Sequence, residues 1–172
     1  MENPFKPAEK DMRIVLITAV SSLLAIAVIA LLDHEFEDPY LVASFGATAV
    51  LIYGAPKAPF SQPKNVFFGH LFSAIIGVSI AMAFDASGLF GDYWWFAAGL
   101  AVSLAITAMV LTGTVHPPGG ATALTCVVSG FFGPLYIIRP IMLGVVLMMA
   151  IAYAANILKA RCEDKNCEQY DN

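Results

Sequence analysis

Acidic side chains are missing where they would carry most weight. The 172-residue chain has 13 Asp and Glu, and none of them falls inside its long apolar runs. Proton-driven carriers often use an intramembrane carboxylate as a relay, so this absence points to facilitated movement or to a histidine-based relay. Basic residues are also scarce. Nine Lys and Arg and a net charge of -4 exclude the basic surface that nucleic acid binding needs. Cysteine is sparse too: Cys126 lies in an apolar run, while Cys162 and Cys167 sit in the polar tail. Three cysteines build no disulfide framework, and the tail pair reads as ordinary thiols rather than metal ligands. The sequence has no nucleophile–base pairing, phosphate loop or metal-ligand cluster, so neither an enzyme nor a cofactor is expected. The first apolar run is too long for a signal-peptide core and is expected to stay as a span rather than be cleaved.

Apolar length is what the chain has in abundance. Hydrophobic residues make up 59% and charged residues 13%, the balance of a membrane protein. Residues 14–32 are uncharged and reach about 28 Å as a helix, enough to cross a bilayer. Residues 66–84, 93–111 and 135–158 are three further candidate spans, the second opening on Tyr93, Trp94, Trp95 and Phe96 at a headgroup-level position. Between the spans lie two shorter apolar stretches, residues 40–55 and the stretch after Leu111. The expected fold is all-α: a polytopic transmembrane bundle of four long spans plus two short, broken or half-helix elements. Residues 1–13 and 159–172 are read as cytoplasmic segments. Lys6, Lys10 and Arg13, then Lys57 and Lys64, then Lys159, Arg161 and Lys165 fall on one side if all six elements cross.

The stretch from Thr112 to Leu124 organises the rest. His116 is followed by Pro117 and Pro118, which favour an extended backbone, and Gly119 and Gly120 are expected to turn it into a short helix from Ala121. Gly46-Ala47-Thr48-Ala49-Val50 returns 74 residues later as Gly120-Ala121-Thr122-Ala123-Leu124, each copy in the short middle element. The chain therefore reads as span–short–span over 14–84 and again over 93–158, an inverted repeat. In that arrangement short Gly/Pro-interrupted segments mark a midplane site. Two facing helix N-termini would present backbone N–H groups of Gly46, Ala47, Gly119, Gly120 and Ala121 to a small anion.

His116 is the foremost side-chain candidate, at the mouth of the broken element; a structural role capping a neighbouring helix end stands about even with it. His70, one turn into a span, is expected to face the bundle interior or a cavity, where a packing role through a serine or a backbone carbonyl stands level with a substrate contact. Thr48 and Thr122 can donate hydroxyls to a solute, although threonine in an apolar helix more often bonds back to its own carbonyls. Gly69, Ser73, Gly77 and Ala81, spaced by four, read as a packing ridge, as do Gly99, Ser103 and Thr107. Tyr153 and Asn156 read as interhelical glue.

Val115 to Leu124, with His116-Pro117-Pro118, resembles the signature of the HPP family of integral membrane proteins. Ala43 to Leu51 and Ser61 to His70 resemble family patterns as well. The resemblance implies nitrite transport, an association of family members from plastids and cyanobacteria, and nitrite suits a helix-terminus anion site. Some members of the family that the chain resembles carry C-terminal CBS modules; this chain stops after a short tail, so adenine-nucleotide regulation through such a module is not expected. The lack of an Arg- and Ser-rich transit peptide fits a bacterial inner membrane. The expected partners are a small anion such as nitrite, the lipid bilayer and, for so small a bundle, further copies of itself. A pore for a neutral solute and a non-transporting subunit are the alternatives.

Overall fold

A computed structural model describes residues 11–36, 41–130 and 133–170, with side chains to 162. Residues 1–10, the acidic positions from Glu37 to Asp38 and the Cys167 thiol lie outside the described set. The architecture is all-helical. Helix α1 (Met12–Phe36) is followed by a short α2 (Ala43–Ala49) that continues as a π turn, Val50–Gly54. A single 3-10 turn (Pro59–Ser61) leads into α3 (Pro63–Ala86), then α4 (Phe90–Thr112), α5 (Pro117–Val128), a second π turn (Ile137–Met142) and α6 (Leu143–Tyr170). Four stretches are long and apolar enough to cross a membrane: α1, α3, α4 and the run from Ile137 to Cys162. The protein is a multi-pass integral membrane bundle.

The HPP stretch folds differently from the sequence expectation. His116 is extended (φ -137°, ψ 101°), as the residue before a proline prefers. Pro117 and Pro118 are themselves helical and open α5, because the first turn of a helix has no use for the N–H that proline lacks. Gly119 and Gly120 therefore continue the helix instead of turning the chain. The turn lies earlier, at Gly113, whose φ of 64° ends α4. There Thr114 N–H bonds Met109 O at 2.9 Å, and the chain is aimed back into the bundle.

α3 is the central strut. Of its most apolar window 44% is buried, against 17% for α1. Its ridge of small residues lets α5 approach closely. A Cβ on Gly69 would stand 2.6 Å from His116 Cβ, and one on Gly77 would stand 2.8 Å from Ala123 O. These contacts make α5 run beside α3 in the same direction. α4 completes this half with Ala97, Ala101 and Ala105, all fully buried. The expected ridge of Gly99, Ser103 and Thr107 is instead exposed, on the opposite face of α4. In the absence of a hydrophobic drive between lipid-bathed helices, such small side chains gain stability from close backbone approach.

The other half packs with larger groups. Phe45, Ile52, Tyr53, Val66, Ile141, Val145 and Met148 form its core with Ala25 and Ile29 of α1. α2 lies along α6 in the same direction, Phe45 against Gly144 and Tyr53 Oη donating to Met148 O at 2.8 Å. The carbonyls that end the π turn are closed by side chains. Ser61 Oγ donates to Leu51 O at 3.0 Å, Asn156 Nδ2 to Ile52 O at 3.4 Å, and Lys159 Nζ to Tyr53 O. A lysine at a helix C-terminus also complements the helix dipole. Thr18 of α1 reaches the same Tyr53 carbonyl at 3.5 Å, so the start of α1 and the end of the α6 span share one end of the bundle.

Candidate functional site

Four chain segments converge on two imidazole rings: α2, the turn before α3, α3 itself, and α5 with its N-cap residue. His70 stands two turns into α3, about 10 Å along its axis and short of its centre. His116 caps the start of α5, and the ring centroids are 4.9 Å apart. Thr48 of α2 sits between them. Its Oγ1 is 2.8 Å from His70 Nε2 and 3.1 Å from His116 Nε2. Thr122 of α5 meets the far side of His70, with Oγ1 2.7 Å from Nδ1. Thr122 also lies 2.9 Å from Ser44 Oγ. His116 Nδ1 is 2.8 Å from Phe60 O, in the turn before α3. Thr48, His70, His116 and Thr122 are all 0% exposed, so this chain of polar groups is closed to lipid and to water.

The hydrogens can be assigned by elimination. Phe60 O only accepts, so His116 carries its proton on Nδ1. With that ring neutral, Nε2 accepts, and Thr48 donates to it. Thr48 then accepts from His70 Nε2–H, and His70 Nδ1 accepts from Thr122. Both neutral rings have all four ring nitrogens satisfied in this way. Besides Ser44 Oγ, two carbonyls lie within reach of the threonine hydroxyls. Ser44 O lies 3.1 Å from Thr48 Oγ1, and Pro118 O lies 3.3 Å from Thr122 Oγ1. Each is the carbonyl four residues back on the threonine's own helix, the ordinary alternative partner for a helical threonine.

Among the described residues the buried Ser73 Oγ has no hydrogen-bond partner. It stands one turn beyond His70 on α3, where a Cβ on Gly119 would come within 2.9 Å of it. No three His, Cys, Asp or Glu side chains cluster as metal ligands among the described residues.

The structure thus sorts the sequence candidates into two groups. His70, His116, Thr48 and Thr122 are brought together, and Gly119 packs tightly beside them on α3. Gly46, Ala47 and Ala121 are exposed, and a Cβ on Gly46 or Gly120 would meet nothing within 4 Å. The backbone donors expected of this group are not at free helix ends. Gly46 is the fourth residue of α2, Pro117 and Pro118 have no N–H, and Gly119 N–H bonds His116 O at 2.8 Å. Nor do the two short helices meet end to end. Ser44 lies opposite Thr122 and Thr48 opposite His116, so α2 and α5 pass side by side and antiparallel.

Sequence reasoning missed Ser44 and the Phe60 carbonyl. Ser44 had a signal, since it lies one turn from Thr48 on the same helical face. A backbone carbonyl has none. Asn65 was also passed over. Its Nδ2 donates to Val115 O at 3.0 Å and to Pro59 O at 3.2 Å, tying the loop that holds Phe60 to the one that holds His116.

Residues 7–164 match the HPP transmembrane region. The chain belongs to the HPP transmembrane family. Two Dictyostelium discoideum proteins, each described as a transmembrane protein, are similar to it. One is 41% identical over 157 residues, covering 87% of this chain and 50% of the relative. The other is 36% identical over 161 residues, covering 88% of this chain and 54% of the relative. The chain spans about half the length of the curated relatives it matches. No solved structure matches it. Within this HPP protein the signature triplet has a plain physical reading. The histidine joins the buried network, and the two prolines start the helix that carries Thr122.

Proposed function

We propose that this HPP protein is a membrane permease for a small solute, with a small monovalent anion such as nitrite as the first candidate. The observation that carries the reading is the buried His70–Thr48–His116 chain. Polar side chains inside a membrane bundle are costly, and apolar packing would serve a purely structural seam with less risk. Two imidazoles and three hydroxyls carried by α2, α3 and α5 can exchange their mutual hydrogen bonds for bonds to a passing solute. Ser73 Oγ, buried beside them without a partner, offers one donor more. The closed packing is then an occluded state, and passage needs α2 and α5 to part. The basic residues suggest that both ends of the chain face the cytoplasm.

A second reading, a non-transporting subunit, draws on that same closure. A cavity of about 470 Å³ does exist, but Ile52, Val66, Phe67, Met149 and Asn156 line it rather than the histidines. Nitrite flux into liposomes holding the purified protein separates the two readings. Empty liposomes correct for leakage of free nitrous acid. The permease reading expects protein-dependent flux that His116→Ala lowers at least tenfold, with a smaller loss of folded yield. Equal losses of flux and yield would make His116 structural, and no flux would move the subunit reading ahead for this anion.

A further inference from the structure

We propose that the His70–His116 pair is a proton-holding site that couples solute movement to a proton, so that an anion and one H⁺ cross together. This rests on the permease reading above and adds its coupling ion. Two helix carbonyls, Ser44 O and Pro118 O, lie within reach of the threonine hydroxyls. With both rings neutral, Thr48 donates to His116 Nε2, and the second lone pair of Ser44 O, 3.1 Å away, receives no hydrogen from the Thr48 hydroxyl. Put one proton on His116 Nε2, and a new N–H bond points at Thr48 Oγ1. Thr48 then turns its hydrogen to Ser44 O and accepts from both rings at once. No hydrogen bond is lost, and one rotor has moved.

The second ring has the same device. A proton on His70 Nδ1 would donate to Thr122 Oγ1, whose own hydrogen then turns to Ser44 Oγ at 2.9 Å or Pro118 O at 3.3 Å. Thr48 and Thr122 are equivalent positions of the repeated Gly-Ala-Thr, and Ser44 and Pro118 are equivalent as well. Each ring thus has a hydroxyl that serves its neutral form and a carbonyl or hydroxyl that serves its charged form. A network meant only to pack needs one arrangement. This one is hydrogen-bonded in two proton states.

No fixed charge holds either state. From α2 the rings face Ser44, Phe45 and Thr48, from α5 Thr122, and from the turn before α3 the Phe60 carbonyl. Of the other titratable groups on the packed elements, Cys126 lies one turn beyond Thr122, Tyr53 and Tyr136 sit in the apolar core, Lys64 and Asp85 stand at the two ends of α3, Arg139 lies in the second π turn, and Lys159 lies on α6 at the Tyr53 carbonyl. None of them touches a ring nitrogen. An imidazolium here lacks a counter-charge, and an entering anion supplies it; in a low dielectric each strongly favours the other. Ser73 Oγ, unpartnered next to His70, gives the anion a donor that neither ring needs. The proton enters from water on the face that admits the anion and leaves to water on the other face, so the cycle balances one H⁺ in and one out.

The test uses the full chain in liposomes, nitrite as the probe, pH above neutral where nitrous acid is scarce, and membrane potential clamped at zero. Nitrite uptake and lumenal pH are read together, with the empty-liposome signal subtracted. Coupling expects the lumen to acidify by one proton per nitrite, and an inward proton gradient to accumulate nitrite about tenfold per pH unit. Thr48→Val should cut accumulation by a larger factor than downhill flux, and Thr48→Ser should restore it. Nitrite flux that leaves lumenal pH unchanged overturns the proposal, as does equal accumulation by Thr48→Val. If the protein moves no nitrite, the permease reading fails for that anion and the proton site is judged separately by ¹⁵N NMR titration of the rings. Coupled titration of His70 and His116 that Thr48→Val uncouples supports it. Independent titration in the unmodified protein overturns it.

Discussion

The two short helices carry the same five-residue pattern and are seated in opposite ways. α5 lies backbone to backbone on α3, with Gly119 against Gly69 O and Ser73 Oγ. α2 lies on α6 through a large ring, Phe45 set into the notch left by Gly144. Both arrangements leave the glycine of the repeat, Gly46 or Gly120, facing open space and turn the threonine inwards. The lesson is that the shared pattern specifies the inward hydroxyl, while the seat is specified by what surrounds it. A glycine seat fixes His116 rigidly, since neither helix backbone can yield. A ring seat can adjust, so α2 is the mobile candidate when the network opens.

The largest contrast should come from filling the two seats. Gly119→Ala places a Cβ 2.8 Å from the Gly69 carbonyl, a backbone atom that cannot swing away. It should cost about 1–3 kcal/mol, read as a lowered thermal midpoint of the solubilised protein. Gly144→Ala meets only the Phe45 ring, which can shift, so a smaller loss is expected. An equal loss from both would remove the distinction between rigid and adjustable seats.

Next come the two threonines. Thr48→Val leaves two ring nitrogens, His116 Nε2 and the His70 Nε2–H, without a partner, whereas Thr122→Val strips one ring nitrogen, His70 Nδ1, and the rotatable Ser44 hydroxyl. A buried polar group left unpaired costs on the order of 1–3 kcal/mol, and interhelical bonds in membranes average nearer ~0.6 kcal/mol. Thr48→Val should therefore be the more destabilising of the pair. Chemical denaturation in mixed micelles gives the order, and a larger effect from Thr122→Val would contradict it.

The smallest effects should come from the repeat glycines. Gly46→Ala and Gly120→Ala add a methyl group to open space within helices, so stability should be unchanged or rise by up to about 1 kcal/mol. Transport should survive both. A strong loss from Gly120→Ala would restore the helix-end anion site that the observed backbone bonding argues against.

Hydrophobic run length made the four spans legible, because bilayer thickness constrains it directly. The inward threonines were also legible, since a repeat in a helical stretch puts equivalent positions on equivalent faces. The start of α5 was not. Two consecutive prolines suggest a break, yet at the first two helical positions they have no N–H to waste, and only the location of the Gly113 turn decides between these cases. The α4 ridge failed for a related reason. Gly99-Ser103-Thr107 and Ala97-Ala101-Ala105 have the same spacing, and which stripe faces α3 depends on neighbours that one helix cannot reveal. Lys159 looked like a topology marker and proves to be a buried cap on the Tyr53 carbonyl.

The central claim is that Thr48 makes His70 and His116 one hydrogen-bonded unit. The direct measurement is ¹⁵N NMR of both rings in lipid nanodiscs, in the unmodified protein and in Thr48→Val and Thr122→Val. The account expects His116 protonated on Nδ1 and His70 on Nε2, with both ring patterns displaced by Thr48→Val and only that of His70 by Thr122→Val. If Thr48→Val leaves either ring unmoved, the two histidines are separate groups and the account fails.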